Sequence, residues 1–397
     1  MANHFLAFDL GAESGRALLG TLDNGRLTLD EQHRFSNPNG RINGHWHWSL
    51  MGQWEHLKEG LRKAGKAGKE INGIGVDTWG VDFGLLSKDG DILGNPYMYR
   101  DARTDGVMDA VFARVDRRRV FEQTGTAFMQ FNTLFQLYAM KHASPAVLDA
   151  ADKLLFMPDL FNYLFTGIKK NEFSITSTSQ MYDMRQKRWA TELMEILGLP
   201  TKILADVVPS GTVIGALRAD VAEECGVPPM NVIAPAGHDT GSAVAAVPAA
   251  GGDSWCYISS GTWSLMGLEL PEPIVNDKSL KYNYTNEGGI GGTTRFLKNI
   301  MGLWLVQECR RHWVKEGHDH SYAELTQMAE RATTTALIDP DYQPFLSPGN
   351  MVPKIDAFCQ QKKQRCPSSR GEYVRCCLES LALTYRRTLE GLDDILG

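Results

Sequence analysis

The first hundred residues alternate short apolar runs with turn residues. Three runs, at 5–9, 16–22 and 27–35, are separated by a glycine-containing segment and by Asp23-Asn-Gly25. Close-set runs with turns of this type are typical of antiparallel strands joined by hairpins. The pattern therefore predicts a three-stranded antiparallel meander at the N-terminus.

A helix and a fourth strand follow the meander. Apolar side chains recur every three or four residues from Leu50 to Ala64, which predicts an amphipathic helix with Ser49 as its N-cap. The run 71–77 predicts a strand, and a helix between strands allows a parallel crossover in a mixed sheet. A turn at 88–90 predicts a hairpin, and helices are expected to dominate 105–166.

A second cycle of strand, Gly/Ser turn and strand begins near residue 255. Residues 255–266 repeat the layout of residues 6–19, after a turn-rich joint at 248–253. A duplicated domain of this kind is typical of an actin-like ATP-binding fold. We therefore predict two domains, 1–247 and 248–397.

The last segment of the sequence predicts one long helix. Apolar residues recur at helical spacing from Val374 to Leu396, and the sequence ends at Gly397. Because no strand follows, we expect this apolar face to be left uncovered in an unfinished domain.

Composition narrows the possible functions. The 41 basic and 47 acidic residues give a net charge of −6, and no long basic run occurs, so nucleic acid and anionic membranes are not expected partners. No run of 18 apolar residues and no signal peptide occurs, which predicts a cytoplasmic protein. The seven cysteines show no ligand spacing and are expected to be reduced. The sequence does not determine the oligomeric state.

Two glycine-containing turns are candidate phosphate loops. The sequence contains neither a P-loop motif nor a strand-following dinucleotide-binding motif. Residues 9–16 end one predicted strand and open the next, so backbone N–H groups could face an anion while Asp9 holds a metal through water. Ser260-Gly-Thr262 could be the partner loop. A tight hairpin with a capping side chain is the alternative for each.

The segment 237–243 carries the candidate catalytic base. It follows the predicted strand 232–236 and leads into a helix of small residues, which places Asp239 at a helix N-terminus where the dipole favours an ionised carboxylate. Such a carboxylate can accept a sugar hydroxyl proton as the oxygen attacks a γ-phosphate. Ordinary N-capping is the alternative.

Three further segments contain residues that could bind a sugar, and each residue also has a purely structural interpretation. Residues 77–82 and 99–104 combine aromatic, carboxylate and guanidinium groups, although Trp79 could be a core residue and Asp101 with Arg103 a structural ion pair. Residues 299–307 are predicted to start a helix with Asn299 and Gln307 near one side. Capping and surface roles are the alternative for these two.

Six segments together resemble the FGGY family of carbohydrate kinases. They are DLGAESGR at 9–16, GVDTWGVDF at 75–83, YRDART at 99–104, GHDTGSA at 237–243, SSGTWSLMG at 259–267, and TNEGGIGG with LKNIMGLWLVQ at 285–307. The resemblance extends over nearly the whole chain, and DTWGVDF and LKNIMGLWL are its most diagnostic parts.

The resemblance implies an α/β fold of the actin-like (ribonuclease H-like) ATPase class, with two similar domains around a cleft for ATP and sugar. It implies ATP-dependent phosphorylation of the 1-hydroxyl of L-rhamnulose, in L-rhamnose catabolism, with Mg²⁺. Asp239 is the implied proton acceptor. The implied sugar contacts are Gly80, His238, Asp239, Thr240 and Asn299. The implied ATP contacts are Ala12, Glu13, Ser14, Gly15, Arg16, Thr262 and Gln307.

One departure from the family pattern bears on activity. Members of the family continue after the final helix with a strand, a Gly-Gly-Gly loop that holds adenosine and phosphates, and further helices, whereas this sequence stops at Gly397. We therefore expect an incomplete second domain and a C-terminally shortened kinase. Three functions stay open at this point: a working L-rhamnulose kinase, a non-catalytic sugar-binding remnant, and a kinase for another ketose such as fuculose or xylulose.

Overall fold

The computed structural model describes residues 2–249 and 255–397. The strands are β1 (Asn3–Leu10), β2 (Ser14–Asp23), β3 (Arg26–Ser36), β4 (Asn39–Ile42), β5 (His45–Trp48), β6 (Gly73–Thr78), β7 (Phe83–Leu86), β8 (Lys153–Phe156), β9 (Asn171–Glu172), β10 (Tyr182–Asp183), β11 (Arg188–Trp189), β12 (Val207–Val208), β13 (Thr212–Ala216), β14 (Asn231–Ala234), β15 (Tyr257–Ser260), β16 (Trp263–Leu270), β17 (Thr285–Gly288) and β18 (Thr294–Met301).

The helices lie between these strands and after the last of them. They are α1 (Leu50–Gly65), α2 (Val107–Phe112), α3 (Arg117–Thr124), α4 (Thr133–Ala143), α5 (Pro145–Ala150), α6 (Met157–Thr166), α7 (Phe173–Thr176), α8 (Thr191–Ile196), α9 (Ala219–Cys225), α10 (Asp239–Ala245), α11 (Asp277–Tyr282), α12 (Trp304–Lys315), α13 (Tyr322–Arg331), α14 (Met351–Gln361) and α15 (Arg370–Leu396).

A six-stranded mixed sheet in the order β13-β14-β6-β1-β2-β3 organises the N-terminal part. Strands β1, β2 and β3 pair antiparallel, which confirms the predicted meander. The β6 strand returns parallel to β1, with Asp9 opposite Asp77, so the predicted crossover through α1 is confirmed. The β14 strand is parallel to β6. The carboxyl ends of β1, β6 and β14 therefore meet at one edge of the sheet.

Local sequence signals are confirmed for most elements, with two differences of detail. Ser49 is the N-cap residue of α1, but its side chain makes no capping hydrogen bond. Within the stretch expected to be helical, 153–156 form β8, which pairs antiparallel with β7. Such a short apolar run does not distinguish a buried strand from a helix turn, and the pairing partner is about 70 residues away in sequence.

The chain divides into two structural units. Unit 1 contains Met1–Ala250, Glu269–Asn276 and Thr285–Phe296, and unit 2 contains Gly251–Leu268, Asp277–Tyr284 and Leu297–Gly397. Two segments beyond residue 250 thus belong to unit 1. Part of the predicted joint, 250–254, lies outside the described residues, and the boundary at 247/248 stays a prediction.

Strands β15 and β16 form the predicted second strand-turn-strand, paired antiparallel. They belong to a four-stranded sheet in the order β15-β16-β18-β17. The prediction that residues 299–307 start a helix is wrong in its first part, because Asn299 lies in β18 and α12 begins at Trp304. Gly302 lies between the two elements, where the chain turns from strand to helix.

The long C-terminal helix α15 is confirmed, but the expectation that its apolar face is left uncovered is wrong for most of the face. Val374, Leu381 and Leu392 are at most 2% exposed. Leu381 packs with Met266 and Ile300, and Val374 joins a larger core in unit 2. Among apolar residues toward the C-terminal end of α15, Leu389 and Leu396 are exposed. The periodicity shows which face is apolar but not which residues cover it.

Two further properties follow from the described part of the chain. All seven cysteines are free. None of the helices in 2–249 and 255–397 is long and apolar enough to cross a membrane.

Candidate active site

The strand ends of the six-stranded sheet bring three aspartates together in unit 1. Asp9 and Asp77 occupy paired positions on β1 and β6, so their side chains leave the sheet on the same side. The Thr78 N–H donates to the Gly237 carbonyl at 2.9 Å, which ties the end of β6 to the loop that carries Asp239. Ligands of open α/β sheets bind at this edge.

Asp239 is the first residue of α10, as the sequence predicted. Its Oδ1 accepts hydrogen bonds from the Thr240 N–H at 2.6 Å and the Thr240 hydroxyl at 3.2 Å, and its side chain is 35% exposed. Burial raises the pKa of Asp239 above its ordinary value, opposed by His238 and the Thr240 N–H. A carboxylate that is partly accessible and more basic than usual suits a proton acceptor.

Asp77 is a half-buried residue near the end of β6, opposite Asp9 on β1. Burial, reinforced by Asp9 and Asp239, raises the pKa of Asp77 well above its ordinary value. The negative charges of Asp9 and Asp239 disfavour ionisation of Asp77, so this carboxyl group holds its proton more tightly than an ordinary aspartate does.

Gly80 lies opposite His238 in a strained turn. Val81 has a φ of 67°, unusual for a β-branched residue, and the Asp82 N–H donates to the Gly80 carbonyl at 2.9 Å. A Cβ at Gly80 would lie 3.3 Å from His238 Nε2 and 3.4 Å from Thr178 Oγ1. Because glycine has no side chain, space is left beside the His238 imidazole, which a contact with a sugar at this position would need.

A buried carboxylate holds the loop before Asp239. Glu172 Oε2 accepts from the Gly237 N–H at 2.9 Å and from the Ser174 hydroxyl at 2.6 Å. Ser174 Oγ in turn accepts from the His238 N–H at 3.1 Å. Glu172 is 1% exposed. The Glu172 carboxylate therefore holds the Gly237 N–H directly and the His238 N–H through the Ser174 hydroxyl, which fixes the backbone of this loop.

The candidate phosphate turn in unit 1 is a β1–β2 hairpin. Ala12 and Glu13 form the turn, closed by a bond from the Gly11 N–H to the Ser14 carbonyl at 2.9 Å. Gly15 and Arg16 belong to β2, and a Cβ at Gly15 would overlap the Phe35 ring, so packing alone requires this glycine.

Asp9 has one carboxylate oxygen committed within the protein. Arg16 donates to Asp9 Oδ2 from Nε at 2.9 Å and from a terminal nitrogen at 2.7 Å. No group of three or more metal-ligating side chains occurs in the described ranges. Mg²⁺ keeps several waters and needs only one or two protein carboxylates, so Asp9 fits an ion held through water rather than in a protein cage.

The partner loop in unit 2 forms a tight corner with the start of α12. The Gly302 and Trp304 N–H groups donate to the Thr262 carbonyl at 3.1 and 3.2 Å. A Cβ at Gly302 would lie 2.8 Å from the Gly261 carbonyl oxygen. Gln307 is one turn into α12, and its Oε1 is buried without a partner among the described residues. An unsatisfied amide oxygen beside this corner fits a residue that awaits a ligand.

Asn299, the remaining implied sugar contact, belongs to unit 2, whereas Gly80, His238, Asp239 and Thr240 belong to unit 1. The structure therefore brings together four of the five implied sugar residues within one unit.

Trp79, Asp101 and Arg103, the candidate sugar-binding residues of 77–82 and 99–104, make contacts within the protein. Trp79 is 5% exposed, its ring centroid lies 4.1 Å from that of the tilted Trp48 ring, and its indole N–H donates to Asp82 Oδ2 at 2.9 Å. Asp101 accepts from the Trp46 N–H at 2.7 Å, and Arg103 stacks on Tyr97. The core alternative for Trp79 is thus the one that the structure supports.

A cavity of about 1100 Å³ in unit 1 lies apart from the aspartates. It is lined by His45, Tyr97 and Arg103 among others, but not by Gly80 or Asp239. This cavity is therefore not the candidate active site. The candidate site lies at the strand ends that carry Asp9, Asp77 and Asp239.

Sequence reasoning missed Glu172, Glu287 and Arg295 as parts of the site. Glu287 Oε2 lies 3.1 Å from His238 Nδ1 and 3.2 Å from an Arg295 nitrogen. Glu287 belongs to the TNEGGIGG segment, whose resemblance to the family was a sign that this segment could contribute to the site. Only the fold shows that its side chain lies beside His238.

Comparison with known proteins identifies the family. The model of the N-terminal domain of the FGGY family of carbohydrate kinases matches residues 4–246, and that of the C-terminal domain matches 256–395. A rhamnulokinase from Bacteroides thetaiotaomicron is 44% identical over 393 residues, which cover 99% of this chain and 80% of that protein. One from Oceanobacillus iheyensis is 41% identical over 390 residues, covering 98% of this chain and 82% of that protein.

Solved structures share the fold at low identity. A ligand-bound xylulose kinase from Lactobacillus acidophilus superimposes with a TM-score of 0.76 at 14% identity, covering 98% of this chain and 78% of the other. Plasmodium falciparum glycerol kinase with ADP superimposes with a TM-score of 0.73 at 13% identity, and the match covers 100% of this chain and 79% of the other. The predicted actin-like α/β fold is confirmed. The chain belongs to the FGGY family of carbohydrate kinases.

Proposed function

We propose that this protein transfers the γ-phosphoryl group of ATP to the 1-hydroxyl of L-rhamnulose, as a step of L-rhamnose breakdown. Support for this sugar comes from the rhamnulokinases at 39–44% identity over about 99% of the chain. The structural observation that carries the proposal is Asp239, accessible at the edge of the sheet and beside His238. No observation favours the sugar-binding remnant or a kinase of another ketose.

Asp239 is the proposed general base. Its carboxylate accepts the proton of the sugar hydroxyl as that oxygen bonds to the γ-phosphorus, and the bond from phosphorus to the bridging oxygen of ADP breaks. The raised pKa of Asp239 makes it a stronger base than an ordinary aspartate. Gly80, His238, Thr240 and Asn299 are the proposed sugar contacts.

The proposed nucleotide contacts are two separate sets. In unit 1 they are Ala12, Glu13, Ser14, Gly15 and Arg16, and in unit 2 Thr262 and Gln307. The buried, unpartnered Gln307 Oε1 supports a polar ligand at the second set. Mg²⁺, when bound, neutralises charge on the transferred phosphoryl group, and Asp9 is the residue proposed to hold it through water.

Substitution of the base tests the proposal. Asp239→Asn keeps the shape but removes the basic oxygen, so sugar-dependent ADP release should fall about 10²- to 10⁴-fold. Asp220→Asn is a matched control, because Asp220 is also in the first turn of a seven-residue helix in unit 1 but is 64% exposed. Full turnover in Asp239→Asn would remove Asp239 from the role of base.

Two proposals concern organisation and location. We propose that the chain has two domains, 1–247 and 248–397. The two family models match residues 4–246 and 256–395, which supports this division. A cytoplasmic location accords with a metabolic kinase, and cell fractionation tests it.

A further inference from the structure

We propose that Ser174, Ser177 and Thr178 are positioning residues whose hydroxyl groups set the spacing between the sugar contacts of unit 1. Each hydroxyl oxygen accepts a hydrogen bond from the backbone N–H of a different, remote segment. The inference rests on the proposed function in that two of these segments carry proposed sugar contacts. One of its two tests does not read activity.

Residues 173–179 form a short segment that is rich in hydroxyl groups. The segment consists of α7 and the 3₁₀ turn that follows it, and five of its seven residues are serine or threonine. All five are at most 4% exposed: Ser174, Thr176, Ser177, Thr178 and Ser179. Because water does not reach these side chains, their hydrogen bonds are made within the protein.

The hydrogen of each of the three hydroxyls is used locally. Ser174 Oγ donates to Glu172 Oε2 at 2.6 Å. Ser177 Oγ donates to the Ser174 carbonyl at 2.6 Å. Thr178 Oγ1 donates to the Ile175 carbonyl at 2.8 Å. Since a hydroxyl has one hydrogen and carbonyl and carboxylate oxygens only accept, the hydroxyl lone pairs are left to accept from elsewhere.

Three remote segments supply the donors. Each hydroxyl oxygen accepts one backbone N–H: Ser174 Oγ from His238 at 3.1 Å, Ser177 Oγ from Gly288 at 2.7 Å, and Thr178 Oγ1 from Val81 at 3.1 Å. These donors belong to the segments 75–83, 237–243 and 285–292, all of which lie in unit 1. One turn of the chain therefore connects three of the segments that resemble the family.

A glycine in each remote segment lies against residues 172–178. A Cβ at Gly288 would lie 3.0 Å from Ser174 Cα, and one at Gly237 would lie 3.1 Å from Glu172 Oε2. Both distances are shorter than an ordinary contact. A Cβ at Gly80 would lie 3.4 Å from the Thr178 hydroxyl oxygen. The close approach and the N–H bond thus occur together in all three segments.

The Thr178 hydroxyl supports the strained turn at Gly80. Val81 has a φ of 67°, a conformation that persists only where its surroundings hold it. Its N–H is held by Thr178, and its carbonyl accepts from the Thr133 hydroxyl at 2.7 Å. Because Gly80 directly precedes Val81, the Thr178 hydroxyl sets the position of this proposed sugar contact.

The other two hydroxyls act on the backbone and on the ring of His238. Ser174 accepts the His238 N–H directly. Ser177 holds Gly288, whose carbonyl accepts from Arg295 Nε at 2.9 Å. A terminal nitrogen of Arg295 donates to His238 Nδ1 at 3.1 Å, since an arginine can only donate. The hydroxyl segment therefore positions His238 from two sides.

Kinetics of hydroxyl variants test the proposal. Ser174→Ala removes the acceptor of the His238 N–H, so the loop that carries Asp239 should shift and kcat/KM for L-rhamnulose should fall about 10- to 100-fold. Thr178→Val should raise the KM for L-rhamnulose through Gly80, and Thr178→Ser, which keeps the hydroxyl, should restore it. The KM for ATP should stay unchanged in all three variants.

Ser179→Ala is the matched control for loss of a buried hydroxyl. Ser179 Oγ donates to the Thr176 carbonyl at 2.6 Å and accepts from the Met181 N–H at 3.1 Å, the same distances as at Ser174, but it bonds to none of the three remote segments. Ser179→Ala and Ser174→Ala should lower the Tm by similar amounts, and only Ser174→Ala should lower kcat/KM. Equal kcat/KM for the sugar in these two variants would overturn the proposal.

Amide hydrogen exchange in the full chain tests the same contacts without activity. Ser174→Ala should speed exchange in 237–243 and leave 78–83 at its wild-type rate, and Thr178→Val should show the reverse. Wild-type exchange in both segments of both variants would contradict the proposal. If Ser174→Ala fails to fold, the comparison of Thr178→Val with Thr178→Ser decides. If the wild-type protein does not turn over L-rhamnulose, the proposed function fails, and the exchange pattern still shows whether the hydroxyls hold these segments.

Discussion

Asp82 shows how a conspicuous sequence motif can serve the core rather than the substrate. Its Oδ2 accepts from the indole nitrogens of Trp48 and Trp79 at 2.7 and 2.9 Å, and its Oδ1 accepts from Gln136 at 2.9 Å. The side chain is fully buried. Despite these donors, burial raises the pKa of Asp82 to about 6.

The raised pKa of Asp82 makes the stability of the protein depend on pH. A folded-state pKa above the unfolded one means that the native state binds the proton more tightly, so this contribution is present below pH ~4 and is lost as pH rises through about 6. The loss is on the order of 3 kcal/mol.

Urea unfolding of wild type and Asp82→Asn between pH 4 and 7.5 measures this contribution. The variant cannot titrate at this position, so its stability relative to wild type should improve as pH rises. A difference between the two proteins that is constant over this range would contradict the assignment.

The pH dependence of turnover reports the basicity of Asp239. Because burial raises its pKa, the acid limb of kcat/KM should fall with an apparent pKa above that of an ordinary aspartate, about 3.9. Activity is lost below that value because the protonated carboxyl cannot accept a proton. The value belongs to the coupled set that includes Asp77. An acid limb at or below pH 3.9 would show that Asp239 is not the group that titrates.

At the residue scale, the sequence predicts groups whose role follows from local context. Asp239 was accessible to prediction because a strand, a glycine-containing loop and a helix of small residues surround it. The contacts of Trp79 and Glu287 were not, because their neighbours Trp48 and His238 lie 31 and 49 residues away in sequence. Such contacts depend on strand order, which local periodicity does not contain.

At the element scale, the corner between β18 and α12 in unit 2 leaves no space for a side chain at Gly302. A Cβ at Gly302 would meet Ser264 Oγ at 2.6 Å and the Gly261 carbonyl oxygen at 2.8 Å. The second contact is with backbone, so the corner itself has to move.

Gly302→Ala should therefore displace the turn that carries Thr262. We expect a loss of about 1–3 kcal/mol in stability and a raised KM for ATP, with the KM for the sugar changed less. Gly40→Ala is the control, because nothing lies within 4 Å of its Cβ and its φ is not positive. If Gly302→Ala and wild type have equal KM values for ATP, this corner does not contribute to nucleotide binding.

Helix α15 offers a comparison within one element. Leu381 is 2% exposed and Leu389 is 42% exposed. Leu381→Ala should cost about 2–5 kcal/mol of unfolding free energy, whereas Leu389→Ala should cost well under half as much. Similar small losses for both would mean that the apolar face is not packed. The length and face of this helix follow from its spacing, but the residues that cover Leu381 come from β16 and β18.

At the scale of the whole molecule, duplication was the predictable feature. Glycine-rich turns at similar positions in two strand pairs predicted two domains and an actin-like fold, and the fold is confirmed. The sequence did not predict that 269–276 and 285–296 belong to unit 1. The division into domains 1–247 and 248–397 stays a prediction.

The central claim is that this chain phosphorylates L-rhamnulose on O1. The most direct measurement is ADP release by the purified 397-residue chain with Mg·ATP and L-rhamnulose against a blank without sugar, with the product identified by phosphorus NMR. The account predicts sugar-dependent ADP release and a phosphate ester at carbon 1, with fuculose and xylulose used less efficiently. No sugar-dependent release from a folded sample, or equal kcat/KM for the other ketoses, would contradict it.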